Sequence, residues 1–142
     1  METLARKRVL IVEDDVDIRT ILPVFLERGG YEPGESADGT EGLAKAESFR
    51  PDVILLDVAM PDLDGYEVCR VLKENPETKT IPVIFVTGSA DAELNRRAYQ
   101  AGAVACITKP FHFEAIVAVL EAALASAERQ ALAENKGGAS EH

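Results

Sequence analysis

The sequence predicts an α/β fold, namely a doubly wound, five-stranded parallel sheet with helices on both faces. Short apolar runs rich in Val and Ile alternate along the chain with amphipathic segments, which is typical of parallel β/α units. Within each run the residues do not alternate between apolar and polar, as expected for strands that are covered on both faces. Both observations indicate the same architecture.

Five segments are predicted strands, and the second is the weakest of them. It contains Pro33 and Gly34, so we place it at a sheet edge, where a missing N–H is tolerated. This placement fits the strand order 2-1-3-4-5, in which strands one and three are neighbours. The predicted strands are 9–12, 31–37, 53–56, 81–86 and 104–108.

Amphipathic segments after these strands predict five helices. The first begins at Asp15 or Asp17, either of which can cap it, and ends at Gly29-Gly30. The other predicted helices run from Thr40, as the cap, to Phe49; from Gly65 to Asn75; from Asp91, as the cap, to Gly102; and from about Phe111 to beyond Leu124.

The length of 142 residues fits one domain, which we place at residues 1–125. Residues 126–142 are predicted to extend the last helix and then, from Asn135, to form a flexible tail. The last helix carries a coiled-coil-like stripe, so its surplus length is expected to mediate a homodimer, to fray, or to have once led into an output domain. The stripe consists of Phe113, Val117, Leu120, Leu124, Ala127 and Ala131.

Composition excludes several classes of function. The net charge of −10 argues against direct binding to a nucleic-acid backbone, which requires clustered Lys and Arg. Cys69 and Cys106 lack the spacing of a metal site and are expected to be reduced thiols. The first apolar run is too short for a membrane span, and with no signal peptide predicted the expected location is the cytoplasm.

Carboxylates follow two of the predicted strands directly. Asp57 ends the run that begins at Val53, and Glu13 and Asp14 end the run that begins at Val9. The carboxyl ends of neighbouring parallel strands form the ligand-binding edge of such a sheet, so these side chains should meet there. Clustered carboxylates repel one another unless a cation lies between them. The pattern therefore predicts a shared cation site, and hard oxygen ligands suit Mg²⁺.

The same edge carries the groups that phosphoryl transfer requires. This chemistry needs a nucleophile, a divalent ion and positioned donors for the phosphoryl oxygens. Asp57 is the candidate nucleophile, because a carboxylate can form an acyl phosphate. Thr87 offers a hydroxyl at the end of the fourth strand, and Lys109 offers a positive charge at the end of the fifth.

These motifs resemble the receiver domain of bacterial two-component response regulators. The resemblance covers roughly residues 7–125 and implies a flavodoxin-like fold. It also implies that Asp57 accepts phosphate from a sensor histidine kinase or a histidine phosphotransfer protein. The matching segments are Val12-Glu13-Asp14-Asp15, Leu56-Asp57-Val58-Ala59-Met60-Pro61 with Asp64-Gly65, Val86-Thr87, and Thr108-Lys109-Pro110-Phe111.

By the same resemblance, Mg²⁺ would bind Asp14, Asp57 and the backbone carbonyl of Ala59, with Glu13 binding directly or through water. Thr87 and Lys109 would engage the phosphoryl group. The protein would then act as a phosphorylation switch that contacts a downstream protein, and not as an enzyme on other substrates.

One position departs from the family pattern, and it concerns signal output. The family usually carries Tyr or Phe three residues before the lysine, whereas this chain has Cys106. A thiol cannot make the inward ring movement of that aromatic side chain. We therefore expect the phosphorylation chemistry to be intact and its coupling to the output surface to be altered.

Two other functions are weighed against the phosphorylation switch. A degenerate receiver would bind partners without phosphorylation, which Cys106 favours and the complete acidic set opposes. A phosphatase or hydrolase with an aspartate nucleophile commonly has a second acid two residues later, but that residue is Ala59 here. The sequence favours the switch.

Overall fold

A computed structural model of the chain describes residues 6–60, 62–88 and 92–140, and it confirms the predicted fold. Five parallel strands form one sheet in the order β2-β1-β3-β4-β5. The strands are β1 (Arg8–Val12), β2 (Glu32–Ser36), β3 (Val53–Asp57), β4 (Val83–Thr87) and β5 (Ala105–Thr108). The helices are α1 (Val16–Arg28), α2 (Gly39–Ser48), α3 (Gly65–Glu74), α4 (Ala92–Ala101) and α5 (Phe113–Ser140).

Successive residues of each central strand point into two different cores. Val9 and Ile11 of β1 belong to the core formed with α1 and α5, whereas Leu10 and Val12 belong to the core formed with α2, α3 and α4. All four side chains are at most 1% exposed. The uninterrupted apolar run of β1 thus follows from helices that cover both faces of the sheet.

The weak second strand lies at the sheet edge, as predicted. Pro33 stands beside Val9 and Gly34 beside Leu10 in the β1–β2 register. Since β2 pairs with β1 alone, the N–H that Pro33 lacks is not needed by a strand on the other side.

Asp15 caps α1 as predicted, but the predicted cap of α2 is wrong. Asp15 accepts hydrogen bonds from the backbone N–H groups of Asp17 and Ile18, and Gly29 ends the helix. The cap of α2 is Asp38, whose Oδ1 accepts from the backbone N–H of Glu41 at 2.8 Å, two residues before the predicted cap Thr40. The predicted cap of α4, Asp91, lies outside the described residues.

The last helix starts near its predicted position and extends further than the sequence predicts. It begins at Phe113, and its backbone stays helical to Ser140, where the sequence predicted a flexible tail from Asn135. Leu120 of the predicted stripe is fully buried, and Phe113 and Leu124 pack against the same core. This part of the stripe therefore covers the sheet and is not a free dimer seam, whereas residues 128–134 are exposed.

Among the described helices, none is both long and apolar enough to cross a lipid bilayer.

Gly65 lets the loop after β3 fold back onto the end of that strand. Its N–H donates to the carbonyl of Val58 at 2.8 Å, and a Cβ placed here would lie 2.7 Å from the backbone oxygen of Asp57. Such a contact cannot be relieved by turning a side chain, because the nearest atoms, from Asp57 and Val58, all belong to the backbone. The glycine thus sets how α3 leaves the end of β3.

We expect Gly65→Ala to lower the free energy of unfolding by about 1–3 kcal/mol, because the backbone must shift to admit the methyl group. Gly29→Ala is the matched control, since a Cβ there would lie 3.5 Å from the nearest atom, the carbonyl oxygen of Leu26, at a negative φ. Urea unfolding of both variants measures the difference. Equal stabilities of the two variants would contradict the tight approach at Gly65.

Candidate functional site

The register of β1 and β3 brings the acidic residues together. Val12 stands beside Leu56, so Glu13 and Asp57 emerge next to each other at the carboxyl edge of the sheet. One carboxylate oxygen from each of Glu13, Asp14 and Asp57 lies within 4.8 Å of the others. Glu13 and Asp57 are buried, whereas Asp14 is exposed. The structure therefore assembles the predicted cluster with one open side.

Lys109 is the cation that pairs with the two buried carboxylates. Its backbone N–H donates to the carbonyl of Thr87 at 2.6 Å, which anchors the residue to the end of β4. Its Nζ lies 3.0 Å from Oε1 of Glu13 and 3.6 Å from Oδ2 of Asp57. Opposite charge at this distance offsets part of the cost of burying two carboxylates.

Glu13 is held by contacts beyond Lys109. Its second oxygen, Oε2, accepts from the backbone N–H of Asp15 at 3.2 Å, and its own N–H donates to the carbonyl of Ser36 at 3.1 Å. Both oxygens of Glu13 thus already have protein partners. Asp14 is exposed, so a metal ion from solvent can reach its carboxylate more easily.

Asp57 has a strongly perturbed acidity. Its pKa is raised from 3.8 to about 7: burial contributes most, the hydrogen bond with Glu13 and the charge of Glu13 add to the rise, and Lys109 and the N–H of Ala59 offset part of it. The pKa of Lys109 is also raised. Burial by itself lowers it, but the hydrogen bonds and charges of Glu13 and Asp57 outweigh burial. The pair therefore favours a charged Lys109 and a carboxyl that is reluctant to ionise.

Thr87 and Ala59 lie where the sequence placed them. Thr87 is the last residue of β4 and is buried. Ala59 is exposed in the loop after β3, and its N–H donates to Oδ1 of Asp57 at 3.2 Å. This hydrogen bond orients the carboxylate of Asp57 relative to the loop. Pro61, part of the quoted motif, lies outside the described residues.

The donor set at this edge matches a hard divalent ion. Carboxylates from three residues converge, and Mg²⁺ prefers one or two carboxylates together with carbonyl and water oxygens. No sulfur or imidazole group belongs to the cluster. Of the groups in the described part of the chain, Glu13, Asp14 and Asp57 could hold the ion.

Comparison with known proteins decides the family. The family model of the response regulator receiver domain matches residues 9–121. This chain belongs to that family. Receiver domains receive phosphoryl groups from histidine kinases or phosphotransfer proteins in two-component signalling, and they bind Mg²⁺ in an acidic pocket.

Individual relatives include both whole regulators and single domains. The chain is 38% identical over 123 residues to the alkaline phosphatase synthesis transcriptional regulatory protein PhoP of Bacillus subtilis, covering 86% of this chain and 50% of that protein. Chemotaxis protein CheY4 of Vibrio cholerae matches with a TM-score of 0.80 and 34% identity, covering 84% of this chain and 99% of that one. This receiver spans about half the length of the curated relatives it matches.

One solved relative is described with its ion in place. The receiver domain of a sensor histidine kinase from Pseudomonas aeruginosa, crystallised with magnesium in its active-site cleft, has a TM-score of 0.79 and 30% identity to this chain. It covers 85% of this chain and 99% of its own. A receiver of the same fold is thus described with magnesium, and this chain carries an acidic cluster of Glu13, Asp14 and Asp57.

Cys106, where the family usually has an aromatic residue, lies half-buried on β5. It stands beside Phe85 in the β4–β5 register and packs against the core under α4. Burial raises the pKa of its thiol, which disfavours the reactive thiolate. Both cysteines are free, as predicted.

An aromatic ring from another helix lies beneath α4 of this receiver. Tyr66 of α3 packs edge-on against Phe85 with centroids 5.3 Å apart, and its hydroxyl donates to the carbonyl of Leu94 at 3.2 Å. The guanidinium of Arg97 lies 4.1 Å from the centre of the Tyr66 ring. Tyr66 thus connects α3, β4 and α4 close to the position of Cys106.

Sequence reasoning missed Arg19, which contacts the acidic loop from α1. Its Nη1 donates to the carbonyl of Glu13 at 3.0 Å, and the carbonyl of Asp14 lies 3.5 Å away. The signal was available, because Arg19 follows the helix cap Asp15 by four residues and so faces the same turn. Arg19 holds the backbone that presents Asp14.

We expect Asp57 to make the metal-free receiver less stable as pH rises. With a folded-state pKa of about 7 and an ordinary value of 3.8, the folded state binds more protons than the unfolded state between these values. Stability from this group is therefore full below about pH 4 and is lost as pH rises to about 7. The loss should be on the order of a few kcal/mol.

Urea unfolding in EDTA at several pH values measures this loss, with Asp57→Asn as the reference for all other titrating groups. The free energy of unfolding of the variant should increase relative to that of the wild type as pH rises. Parallel stability curves for the two proteins would show that Asp57 titrates normally.

Proposed function

We propose that Asp57 is the phosphoacceptor of this receiver and that its phosphorylation depends on Mg²⁺ held by Asp14, Asp57, Glu13 and the carbonyl of Ala59. The supporting observation is that Asp57 is buried beside Glu13 and lies 3.6 Å from Nζ of Lys109, while Asp14 of the same cluster is exposed. Burying the carboxylate of Asp57 costs free energy, as its raised pKa indicates, and a purely structural role would not explain that cost. Binding of a cation and a phosphoryl group would explain it.

In the proposed reaction, an oxygen of Asp57 attacks phosphorus and the bond from phosphorus to the donor nitrogen or oxygen breaks. Mg²⁺ supplies charge neutralisation for the phosphoryl oxygens when it is bound. The N–H of Ala59 orients the attacking carboxylate, since it donates to Oδ1 of Asp57. Lys109 is already within reach and can turn from the carboxylates to a phosphoryl oxygen.

Signal output in this proposal is a change of protein contacts. The donor is a histidine kinase or a histidine phosphotransfer protein, and the phosphorylated form contacts a downstream protein. Thr87 is the last residue of β4, and α4 follows it in the chain. A movement of Thr87 toward the phosphoryl group would therefore shift the start of α4. Tyr66 of α3 contacts α4 through Leu94 and Arg97, so these contacts would change when α4 shifts. They would take the part of the aromatic residue that the family usually has at the position of Cys106.

We expect one phosphoryl group to be added when the receiver is incubated with Mg²⁺ and acetyl phosphate, or with a phosphohistidine donor protein, as read by intact mass. Asp57→Ala should take none, because the nucleophile is gone. Asp14→Asn should need far more Mg²⁺, because an open carboxylate ligand is lost.

Other outcomes would favour the alternative functions. Labelling that persists in Asp57→Ala would refute the assignment of the acceptor. An unlabelled wild type would favour the degenerate receiver. Release of many phosphate molecules per chain would favour a hydrolase, which the exposed Ala59 does not support because no acid stands at that position.

We further propose that the end of α5 pairs with a second copy of the chain. The helix continues for sixteen residues past Leu124, the last residue of α5 that packs against the core in the described part of the chain, and Leu132 there is 62% exposed. An exposed leucine on an exposed helix gains by burial against its own copy. Of the predicted stripe, Phe113, Leu120 and Leu124 belong to the domain core, so the proposed pairing uses Leu132, which the stripe did not include.

Light scattering should find a dimer for the full chain and a monomer for a chain ending at Ala125. Leu132→Glu should also give a monomer, whereas Arg129→Ala, one turn earlier on the same exposed helix, should remain dimeric. A full chain that is monomeric at high concentration would contradict the pairing.

A further inference from the structure

Asp62 links the loop after β3 to the start of α2. Its Oδ1 accepts from the N–H of Gly39 at 2.9 Å, and its Oδ2 accepts from the N–H of Thr40 at 2.9 Å and from the Thr40 hydroxyl at 2.7 Å. These donors lie more than twenty residues away in the sequence. Three hydrogen bonds to one exposed carboxylate form a cross-link between two elements.

The start of α2 is built to receive this carboxylate. Asp38 caps the N–H of Glu41, so the N–H groups of Gly39 and Thr40 are the donors that the first turn leaves for another partner. Favourable bonding to the charged form holds the pKa of Asp62 well below its usual range. The positive end of the helix dipole acts in the same direction.

The packing around Gly39 keeps the two elements close. A Cβ on Gly39 would lie 2.8 Å from Cγ2 of Val68 and 3.0 Å from Cβ of Leu63. Gly39 is therefore needed for the close approach that lets Asp62 reach both N–H groups. The contact joins α2 to α3 and to the loop that separates α3 from Asp57.

The opposite end of this loop is part of the phosphorylation site. The N–H of Ala59 donates to Asp57, and the N–H of Gly65 closes the loop onto the carbonyl of Val58. Ala59 thus lies between a closure at the base of the loop and the cross-link made by Asp62. Freeing Asp62 leaves the loop anchored at its base but not at its outer side.

We propose that Asp62 is a positioning residue that holds the loop carrying the Ala59 carbonyl and thereby sets the affinity of the site for Mg²⁺. The inference rests on the proposed function for the identity of the metal ligands. Asp62 touches neither the ion nor the phosphoryl group in this proposal. It acts through the loop, as outer partners of metal ligands do.

The test compares Asp62→Ala with Asp38→Ala and Asp62→Asn. Asp38→Ala is the matched control, because it removes a cap from the same helix but leaves the loop attached. In metal-free protein, amide hydrogen exchange at Ala59 should be roughly tenfold faster in Asp62→Ala and unchanged in Asp38→Ala. The dissociation constant for Mg²⁺, measured by calorimetry, should rise roughly tenfold in Asp62→Ala alone.

Asp62→Asn keeps one carbonyl acceptor and should recover part of both effects, which also provides a folded variant if Asp62→Ala unfolds. Unchanged exchange and unchanged Mg²⁺ affinity in Asp62→Ala, or an equal loss in Asp38→Ala, would overturn the inference. Labelling of the wild type by acetyl phosphate is a separate measurement. Its failure would refute the proposed function, while the exchange comparison would still decide the role of Asp62.

Discussion

The contact of Lys109 with Glu13 and Asp57 is the constraint on which the rest of this receiver depends. Two carboxylates are buried side by side at the end of the sheet, and they are tolerated because an ammonium group lies 3.0 Å from one and 3.6 Å from the other. The surplus negative charge remains at a half-open site. In the proposed function, a cation and a phosphoryl group would bind beside these carboxylates.

Much of the surrounding structure keeps this cluster in place. The parallel ladder sets Glu13 beside Asp57, and the anchor from Lys109 to Thr87 brings the lysine to the same edge. Arg19 supports the acidic loop from one side, and Asp62 ties down the neighbouring loop on the other. The carboxylate of Asp57 is thus surrounded by elements that fix its position, as pre-organised sites require.

The surroundings of Cys106 show which side chains contact α4 in this receiver. Cys106 fills its place on β5 as a half-buried, poorly acidic thiol, and Tyr66 supplies an aromatic contact to α4 from α3. The hydroxyl of Tyr66 donates to the carbonyl of Leu94, and the guanidinium of Arg97 lies over its ring.

The sequence by itself determined the strand order, the edge position of β2 and the identity of the clustered acids, because apolar runs and strand-end residues are local signals. Tertiary structure decided the rest. Asp38 and not Thr40 caps α2, since Thr40 is engaged by Asp62 from a distant loop. Leu120 is buried in the core, whereas Leu132 is exposed, because α5 extends beyond the sheet that it covers. Such outcomes depend on which surfaces meet, and no local pattern records that.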